Sequence, residues 1–333
     1  MPGIGVISNP NAGLNKLSPR IKNRLTFVVG QGGEVVSTGT LDDAEAAARA
    51  FKEFEIDVVA ISGGDGTAHR TIELLLDVYD ETPLPPILLL PSGTQNMVPG
   101  SFGLRGNAVS TMLLTLARYR HNVPLRCVKR NMLQVNGHHS FMFGIGVAPR
   151  FLELYYSRGM TSMSGAARLI GEVALDAARG GEVAARLAEH FEIEYRLDEG
   201  PPRHKSVHSL FCSFVEELSL RFKPFPRAGW DANVFEIALI DGHPVKVVQM
   251  LHRIWFGAVK LNTAFTRHMA RSMEVRLDRP EPYTLDGEVY EAIDRFEISA
   301  GPELNFVVPG LKLRRDPHIR TTEAGPWSMR YLL

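Results

Sequence analysis

The sequence predicts two domains, an N-terminal doubly wound α/β domain and a C-terminal antiparallel β-sandwich domain. The length of 333 residues is more than one hydrophobic core usually serves. Strand and helix patterns alternate in the first third of the chain, which favours a parallel sheet, whereas strand patterns dominate after Pro124. We therefore predict a first domain at residues 1–123, a second at 124–309, and a segment at 310–333 that returns to the first domain.

Apolar periodicity separates strands from helices in the first domain. Thr40 precedes Asp42 and Asp43, which is typical of a helix start with acid in its first turn. Short β-branched or apolar runs bounded by turn residues predict buried strands. On these criteria the strands are residues 3–8, 56–62 and 87–90, and the helices are residues 40–54, 67–79 and 107–120.

Most segments of the second domain have the length and composition of strands, and Asn136-Gly137 between two of them is a strong hairpin signal. Helical insertions are predicted at residues 164–190 and 245–266. The Gly144–Pro149 segment is predicted to be a strand with a bend. The predicted strands are residues 125–135, 139–147, 191–197, 206–215, 234–240, 273–277, 296–300 and 304–308.

Composition excludes several classes of protein. Lys plus Arg and Asp plus Glu both total 37, so the net charge is zero. Proteins that bind nucleic acid usually carry an excess of positive charge, so we do not expect nucleic acid as a partner. Two cysteines make neither a disulfide framework nor a metal cluster, and the N-terminus does not resemble a signal peptide. We expect a cytoplasmic protein whose membrane contact, if any, is peripheral and made by a local patch.

Ser62–Thr67 places three glycines around one carboxylate at the end of a predicted buried strand. Ligands of doubly wound sheets bind beyond the carboxyl ends of the strands. Glycine permits positive φ and close approach of a ligand, and successive N–H groups at a helix N-terminus bind anions such as phosphate. Asp65 would repel phosphate unless a cation lies between them, and Mg²⁺ prefers such oxygen ligands. The segment therefore predicts a nucleotide-phosphate and metal site.

Two further turns support this prediction. Residues 9–13 follow the first strand and residues 91–96 follow the third, so three strand ends could converge on one ligand. The P-loop motif and the protein-kinase motifs H-R-D and D-F-G are absent from the sequence. The predicted phosphate site is therefore of another type.

Several motifs, in order along the chain, resemble the diacylglycerol kinase catalytic-domain superfamily, which includes bacterial lipid kinases, sphingosine kinases and ceramide kinases. The D-G-E motif at 286–288 is present together with the predicted nucleotide loops near the start of the chain. The resemblance extends from Gly3 to about Pro309. The motifs are NPNAG at 9–13, Thr38, GGDGT at 63–67, PSGTQN at 91–96, FGIGVAPRF at 143–151, PRAGWDANVFEIALI at 226–240 and YTLDGEVY at 283–290.

The resemblance implies an ATP- and Mg²⁺-dependent lipid kinase in which ATP and lipid meet in a cleft between the two domains. Glu288 is then the base that accepts the proton of the lipid hydroxyl, with Asp286 beside it and Asp65 near the phosphates and Mg²⁺. The implied substrate is diacylglycerol, a sphingoid base or a related lipid, presented by a membrane surface or a micelle. The implied ATP-binding residues are Asn9, Pro10, Asn11, Gly13, Thr38, Gly63, Gly64, Asp65, Gly66, Thr67, Gly93, Thr94 and Asn96.

Departures from the family pattern keep alternatives open. Arg70 reverses a charge near the phosphates, and Ala232-Asn233 replaces the usual Asp-Gly, so Asp231 would have to substitute at a second Mg²⁺ site. These departures leave room for a catalytically silent lipid- or nucleotide-binding protein. An NAD kinase-like enzyme is the enzymatic alternative, although its T-P-T-G-S-T-A-Y pattern is missing here. A homodimer is also left open.

Overall fold

Contacts along the chain divide it into two units, each described separately here. Unit 1 comprises residues 1–130 and 303–333, and unit 2 comprises residues 131–302. Both divisions fall inside long strands, whereas the sequence suggested Pro124 and Pro309. The computed structural model describes residues 3–12, 15, 20–30, 33–93, 96–101, 104, 106–160, 162–217, 222–243, 245, 265–310, 319–325 and 327.

Unit 1 is built around parallel strands in the order β2-β1-β3-β4, with the end of β14 beside β4 through Phe306 and Ile87. Helices α1 and α5 form one packed pair and helices α2 and α3 another. The predicted doubly wound α/β fold is confirmed. Its elements are β1 (Ile4–Ser8), α1 (Arg20–Val29), β2 (Gly33–Ser37), α2 (Leu41–Glu53), β3 (Val58–Gly63), α3 (Asp65–Tyr79), β4 (Ile87–Pro91), α4 (Met97–Ser101), α5 (Ala108–Arg120), the start of β5 (Leu125–Val135), the end of β14 (Glu288–Val307) and β15 (Thr321–Ala324).

The start of α2 shows how local sequence fixes a helix end. Thr40 accepts a hydrogen bond from the backbone N–H of Asp43, and the Asp43 carboxylate accepts one from the backbone N–H of Thr40. This reciprocal capping box satisfies two N–H groups that have no partner within the helix. The predicted helix start at Thr40 is confirmed.

Helix α1 and strand β2 are two of the four elements of unit 1 that were not predicted, the others being α4 and β15. Helix α1 has no acidic residue in its first turn and no basic residue in its last turn, so its sequence lacks the usual charge signals of helix ends. Strand β2 has only five residues, and its burial does not alternate cleanly. Both elements owe their structure to packing beside β1 and α5 rather than to local pattern.

The last described residues of the chain pack within unit 1. Strand β15 pairs antiparallel with β5, from Thr321 opposite Val128 to Ala324 opposite Leu125. The Trp327 ring lies 5.3 Å from the Tyr119 ring of α5, and the Trp327 backbone N–H donates to Asn122 Oδ1 at 2.9 Å. These contacts attach the C-terminal segment to the end of α5.

Glu303 links this segment to β5 through two cations. Its carboxylate pairs with Lys129 Nζ at 2.8 Å and with the guanidinium of Arg320. Burial alone would raise the pKa of Glu303, but the hydrogen bonds from Lys129 and Arg320 outweigh it and hold the pKa below its ordinary value.

We predict that Glu303→Gln destabilises unit 1 by about 1 kcal/mol at neutral pH, because the pair is partly exposed and screened by solvent. The lowered pKa means that the carboxylate contributes its stability above the unfolded pKa and loses it as pH falls through the folded pKa. Urea titrations of both proteins should therefore differ at pH 7 and converge below about pH 4. A difference that persists undiminished at pH 3 would contradict this account.

Unit 2 consists mainly of antiparallel strands in the order β12-β11-β10-β7-β13, with β13 also pairing with β14 and β8, and β8 with β9. Buried aliphatic and aromatic residues from these strands form one core. The predicted antiparallel fold class is confirmed. Its further elements are β6 (His138–Ser140), β7 (Met142–Gly146), α6 (Val147–Ser157), α7 (Met163–Ala178), α8 (Glu182–Leu187), β8 (Phe191–Leu197), β9 (Arg203–Val207), β10 (Ser209–Ser213), β11 (Phe235–Ile240), β12 (Phe265–Ala270) and β13 (Ser272–Leu285).

Some predictions for unit 2 were wrong in detail. The 144–149 segment is not a bent strand: β7 ends at Gly146, whose φ of 83° turns the chain into α6, and Pro149 is tolerated in the first helical turn. The single helix at 164–190 is two, because the chain breaks at residues 179–181. The run at 206–215 is divided at His208 between β9 and β10, and those at 296–300 and 304–308 belong to the one strand β14.

The predicted helix at 245–266 falls mostly outside the described residues. Its last two positions, Phe265 and Thr266, belong to strand β12 instead. Across the described parts of the chain, no helix has the length and apolar character needed to span a membrane.

A buried ion-pair network joins the helices of unit 2 to β13. Glu281 is 4% exposed and pairs with Arg150 Nη2 at 2.7 Å and with Arg279 Nε at 2.9 Å. Arg150 also donates to the backbone carbonyls of Leu187 and Glu189 at 3.3 and 2.8 Å. Glu281 therefore pairs with two cations, and Arg279 has a second carboxylate partner in Glu189, whose Oε1 atom is 2.7 Å from Arg279 Nη2.

We predict that Glu281→Gln lowers the free energy of unfolding by about 3 kcal/mol, because removing one partner leaves a buried charge uncompensated. Glu182→Gln is the matched control, since the Glu182 and Arg186 side chains are 91% and 84% exposed and 3.8 Å apart. The control should change stability by less than about 0.5 kcal/mol. Equal effects of the two substitutions in a denaturant titration would contradict the prediction.

Candidate active site

The register of the unit 1 sheet brings the predicted turns to one edge. Ser8, the last residue of β1, is opposite both Ser37 and Ser62, and Gly63 is opposite Pro91. The carboxyl ends of four parallel strands are therefore level. The residues that follow these ends, from Asn9, Thr38, Gly64 and Ser92 onward, lie along the same edge, where doubly wound folds bind their ligands.

The loop after β1 is tied to the start of α3. The Asn9 backbone N–H donates to the carbonyl of Ser62 at 3.0 Å, and Asn9 Nδ2 donates to Thr67 Oγ1 at 3.0 Å. Asn9 Oδ1 accepts from the backbone N–H of Asn11 at 2.8 Å, while Pro10 and Asn11 are exposed. Asn9 thus connects two of the predicted nucleotide loops; Gly13 lies outside the described residues.

Asn15 is a site residue that the sequence analysis missed. Its side chain is buried, and Nδ2 donates to the backbone carbonyls of Asn9 at 2.8 Å and Ser62 at 3.2 Å. Its Oδ1 atom is buried and accepts no hydrogen bond from the described residues. The available signal was a third asparagine shortly after Asn9 and Asn11. Asn15 holds the base of the first loop against β3.

Gly63 of the second loop and Gly93 of the third loop allow neighbouring segments to pack closely. A Cβ atom on Gly93 would lie 2.3 Å from the Cα atom of Gly64, and one on Gly63 would lie 2.4 Å from the Cβ atom of Thr67. The predicted positive φ was wrong, because Gly63, Gly64, Gly66 and Gly93 all lack it. These positions need glycine for space and not for backbone conformation.

Helix α3 begins at this loop with a glycine as its N-cap. Gly64 is its N-cap and supplies no side-chain hydrogen bond, so the first-turn N–H groups are not capped from that position. A phosphate fits such a helix end, because both the N–H groups and the helix dipole favour an anion. The triphosphate of a nucleotide would supply such an anion.

Asp65 is the first residue of α3 and joins it to α4. Its Oδ1 atom accepts a hydrogen bond from the backbone N–H of Val98 at 3.1 Å, and the side chain is half-buried. A carboxylate at this position is compatible with the helix dipole and is the ligand type that Mg²⁺ prefers. The residue therefore fits a metal held between it and phosphate oxygens.

The loop after β4 is closed by its own asparagine. Asn96, at a φ of 51°, accepts from the backbone N–H of Gly93 and donates to the Gly93 carbonyl, both at 2.9 Å. At the base of the loop the buried hydroxyls of Ser62 and Ser92 are 3.1 Å apart. Thr94 lies outside the described residues. Thr38 is buried at the end of β2, and its N–H donates to the Ser8 carbonyl at 3.0 Å.

In unit 2, the D-G-E motif forms a two-residue hairpin turn between β13 and β14. Asp286 and Gly287 have φ values of 50° and 91°, the positive pair that a type I′ turn requires, and Leu285 is opposite Glu288. The buried Asp286 carboxylate accepts from the backbone N–H groups of Phe141 at 3.0 Å and Met142 at 2.9 Å. It fixes the turn against the start of β7.

Glu288 is half-buried as the first residue of β14. Cross-strand partners share a face of the sheet, so Glu288 is on the same face as buried Leu285 and Tyr283. The rings of Tyr283 and Tyr290 are stacked at 5.1 Å on that face. The Asp286 turn therefore fixes the register that puts Glu288 on this face of the sheet.

Asp231 is exposed in the turn before β11. Two residues later, Asn233 exchanges hydrogen bonds with Asn131, whose Nδ2 donates to Asn233 Oδ1 at 2.8 Å. Among the residues with described positions, no three His, Cys, Asp or Glu side chains form a group able to hold a metal ion. A metal at Asp231 or at Asp65 would thus need further ligands from substrate or water.

Part of the apolar surface of the α6–α7 segment forms a small local core. Leu169 is buried with Tyr155 and Ala166, and Met160 and Val173 pack against them. Arg158 and Arg168 both pair with Glu172 rather than standing alone. Core packing accounts for these apolar residues, whereas Leu175 of α7 is exposed.

Comparisons with known proteins agree with this geometry. Residues 3–127 match the family model described as the diacylglycerol kinase catalytic domain. The matched part of the chain contains the described strand-end loops, and the match agrees with the resemblance of its motifs to the diacylglycerol kinase catalytic-domain superfamily, a lipid kinase family. No curated protein matches the chain.

Solved structures from Bacillus anthracis str. Sterne have the same fold. One, named a diacylglycerol kinase, is 15% identical with a TM-score of 0.65. Two others, provisionally named diacylglycerol kinases, are 16% and 14% identical, with TM-scores of 0.69 and 0.68. In each case the match covers 92% of this chain and 96% of the other. At this level of identity the likeness concerns the fold.

Proposed function

We propose that the protein is a lipid kinase that uses ATP and Mg²⁺ to phosphorylate a hydroxyl of diacylglycerol, a sphingoid base or a related lipid in phospholipid metabolism. The observation that carries the proposal is the position of the α3 N-terminus, with glycine as its N-cap, at the edge where the strand-end loops meet. The family of residues 3–127 supports the same reaction class.

The unit 1 loops would hold the nucleotide. The first-turn N–H groups of α3 would bind phosphate oxygens, and Asn9 holds the first loop against Thr67 in that turn. Asp65 would hold Mg²⁺, which when bound would offset charge on the phosphates. Phosphoryl transfer needs little covalent chemistry from the protein, so this positioning accounts for much of the catalysis.

Glu288 would be the catalytic base. A carboxylate within hydrogen-bond reach of the lipid hydroxyl orients it and accepts its proton as the phosphoryl group is transferred. Asp286 acts as a positioning residue, because its carboxylate is already engaged by the backbone N–H groups of Phe141 and Met142. The rigid Asp-Gly turn therefore supports the adjacent base.

A panel assay with labelled ATP tests the proposal against its rivals. We expect a labelled lipid when diacylglycerol, sphingoid bases and related alcohols are offered with Mg²⁺, and no labelled product when NAD is offered. Label on NAD alone would favour an NAD kinase-like enzyme. ATP binding with no labelled product from any acceptor would favour a silent binding protein, for which the Arg70 and Ala232 departures are the sequence argument.

A further inference from the structure

Two stretches of the chain contain no acidic residue. Residues 1–33 and 82–130 contain no Asp or Glu, and the acids that balance their charge all lie elsewhere in the sequence. The zero net charge of the whole chain therefore conceals a strongly uneven distribution. The basic residues of the two stretches are Lys16, Arg20, Lys22, Arg24, Arg105, Arg118, Arg120, Arg126, Lys129 and Arg130.

The fold of unit 1 places helices from these two stretches side by side. Helices α1 and α5 contribute to one core, and Arg120 Nη2 donates to the Val29 carbonyl at 3.2 Å. Leu25 and Val29 are the inward residues of α1, at 0% and 1% exposure. Phe27, between them in sequence, is 87% exposed. Helix α1 thus exposes the phenyl ring of Phe27 while it buries Leu25 and Val29.

Phe27 is part of a larger apolar patch. Phe27, Val28 and Val109 line an open groove of about 350 Å³ together with Asn23 and Arg24. Leu113 lies one helical turn beyond Val109 on α5, and both Leu113 and Leu114 are about half exposed, at 51% and 53%. We call the surface formed by Arg24, Phe27, Val28, Val109 and Leu113 the α1–α5 face; the exposed cation Lys22 is two residues before Arg24 on α1.

We propose that the α1–α5 face docks on an anionic lipid surface. Exposed apolar side chains beside cations, without any carboxylate on either helix, are the features of helices that lie in a membrane interface. A second copy of the chain fits this face less well than an anionic lipid surface does. In a symmetric dimer the same cations would face each other and repel. The choice of lipid rests on the proposed function, since a lipid kinase must meet its substrate at such a surface.

Vesicle cosedimentation tests the proposal. The wild-type protein should bind vesicles of phosphatidylcholine with phosphatidylglycerol, bind vesicles of phosphatidylcholine alone less well, and lose affinity as salt rises. Phe27→Ser should weaken binding about tenfold, because one buried ring is lost from the interface. Arg24→Glu should weaken it about fivefold or more.

Phe54→Ser is the matched control. Phe54 is 50% exposed at the end of α2, between Glu53 and Glu55, so its loss should leave vesicle binding unchanged. Both phenylalanines are exposed enough that the variants should fold like the wild type, which circular dichroism checks. Wild-type binding by Phe27→Ser and Arg24→Glu would overturn the proposal. So would loss of lipid-free self-association in these variants, which would identify a second copy as the occupant.

A kinase assay separates this inference from the proposed function. With lipid delivered in neutral detergent micelles, the Phe27→Ser variant should keep wild-type turnover, and with anionic vesicles its turnover should fall. If the wild type phosphorylates no lipid in either form, the proposed function fails, and the vesicle-binding result still decides the docking proposal. Equal turnover by the variant on both forms of lipid, alongside wild-type vesicle binding, would overturn the docking proposal alone.

Discussion

Glu288→Gln is expected to lower lipid phosphorylation about 100- to 10,000-fold, the range for loss of a general base. The amide is isosteric with the carboxylate, and position 288 is only half-buried at the start of β14. Affinity for ATP and the midpoint of thermal unfolding should therefore stay close to those of the wild type. Initial rates with labelled ATP and saturating lipid, beside a thermal melt of both proteins, provide the measurement.

Glu291→Gln is the control for this prediction, because Glu291 is exposed three residues further along the same strand. It should retain wild-type turnover. If Glu288→Gln retained more than about half of the activity, proton acceptance by Glu288 would be excluded as a large contribution.

Gly93→Ala is expected to weaken ATP binding at least about tenfold and to destabilise unit 1 by about 1–3 kcal/mol. The added methyl group would sit 2.3 Å from the Cα atom of Gly64, and backbone cannot move aside as a flexible side chain can. The two loops must separate at the point where α3 begins. Calorimetric titration with ATP and Mg²⁺ measures the affinity, and urea unfolding measures the stability.

Gly171→Ala provides the comparison. No atom lies within 4 Å of a Cβ at Gly171, which is inside helix α7 of unit 2. Alanine should stabilise that helix by up to about 1 kcal/mol and leave ATP affinity unchanged. Unaltered ATP affinity in Gly93→Ala would mean that the loop contact has no role in the nucleotide site.

The parallel sheet and its strand-end loops could be predicted because their signals are local. The apolar run before Gly63 indicates a buried strand, and its level alignment with β1 and β4 follows from parallel pairing. The capping box at Thr40 is also a local signal, because it involves only residues 40–43. Asn15 could not be found in this way, because its partner Ser62 is 47 residues distant in the sequence.

The reason for a glycine is similarly hidden from the sequence. Positive φ and lack of space both select glycine, and only coordinates show that Gly93 serves the second need against Gly64. The D-G-E motif likewise has one feature that the sequence predicts and another that only the structure shows. Its turn was predictable from Asp286-Gly287, whereas the bonds from Phe141 and Met142 to Asp286 connect segments about 145 residues apart. Those bonds fix Asp286 in the turn that precedes Glu288.

A crystal structure with a non-hydrolysable ATP analogue and Mg²⁺ tests the central claim most directly. We expect triphosphate oxygens within about 3 Å of first-turn N–H groups of α3, with the metal beside Asp65. We also expect contact between the nucleotide and the loops that begin at Asn9 and Gly93. A triphosphate bound away from the N-terminus of α3 would contradict the account.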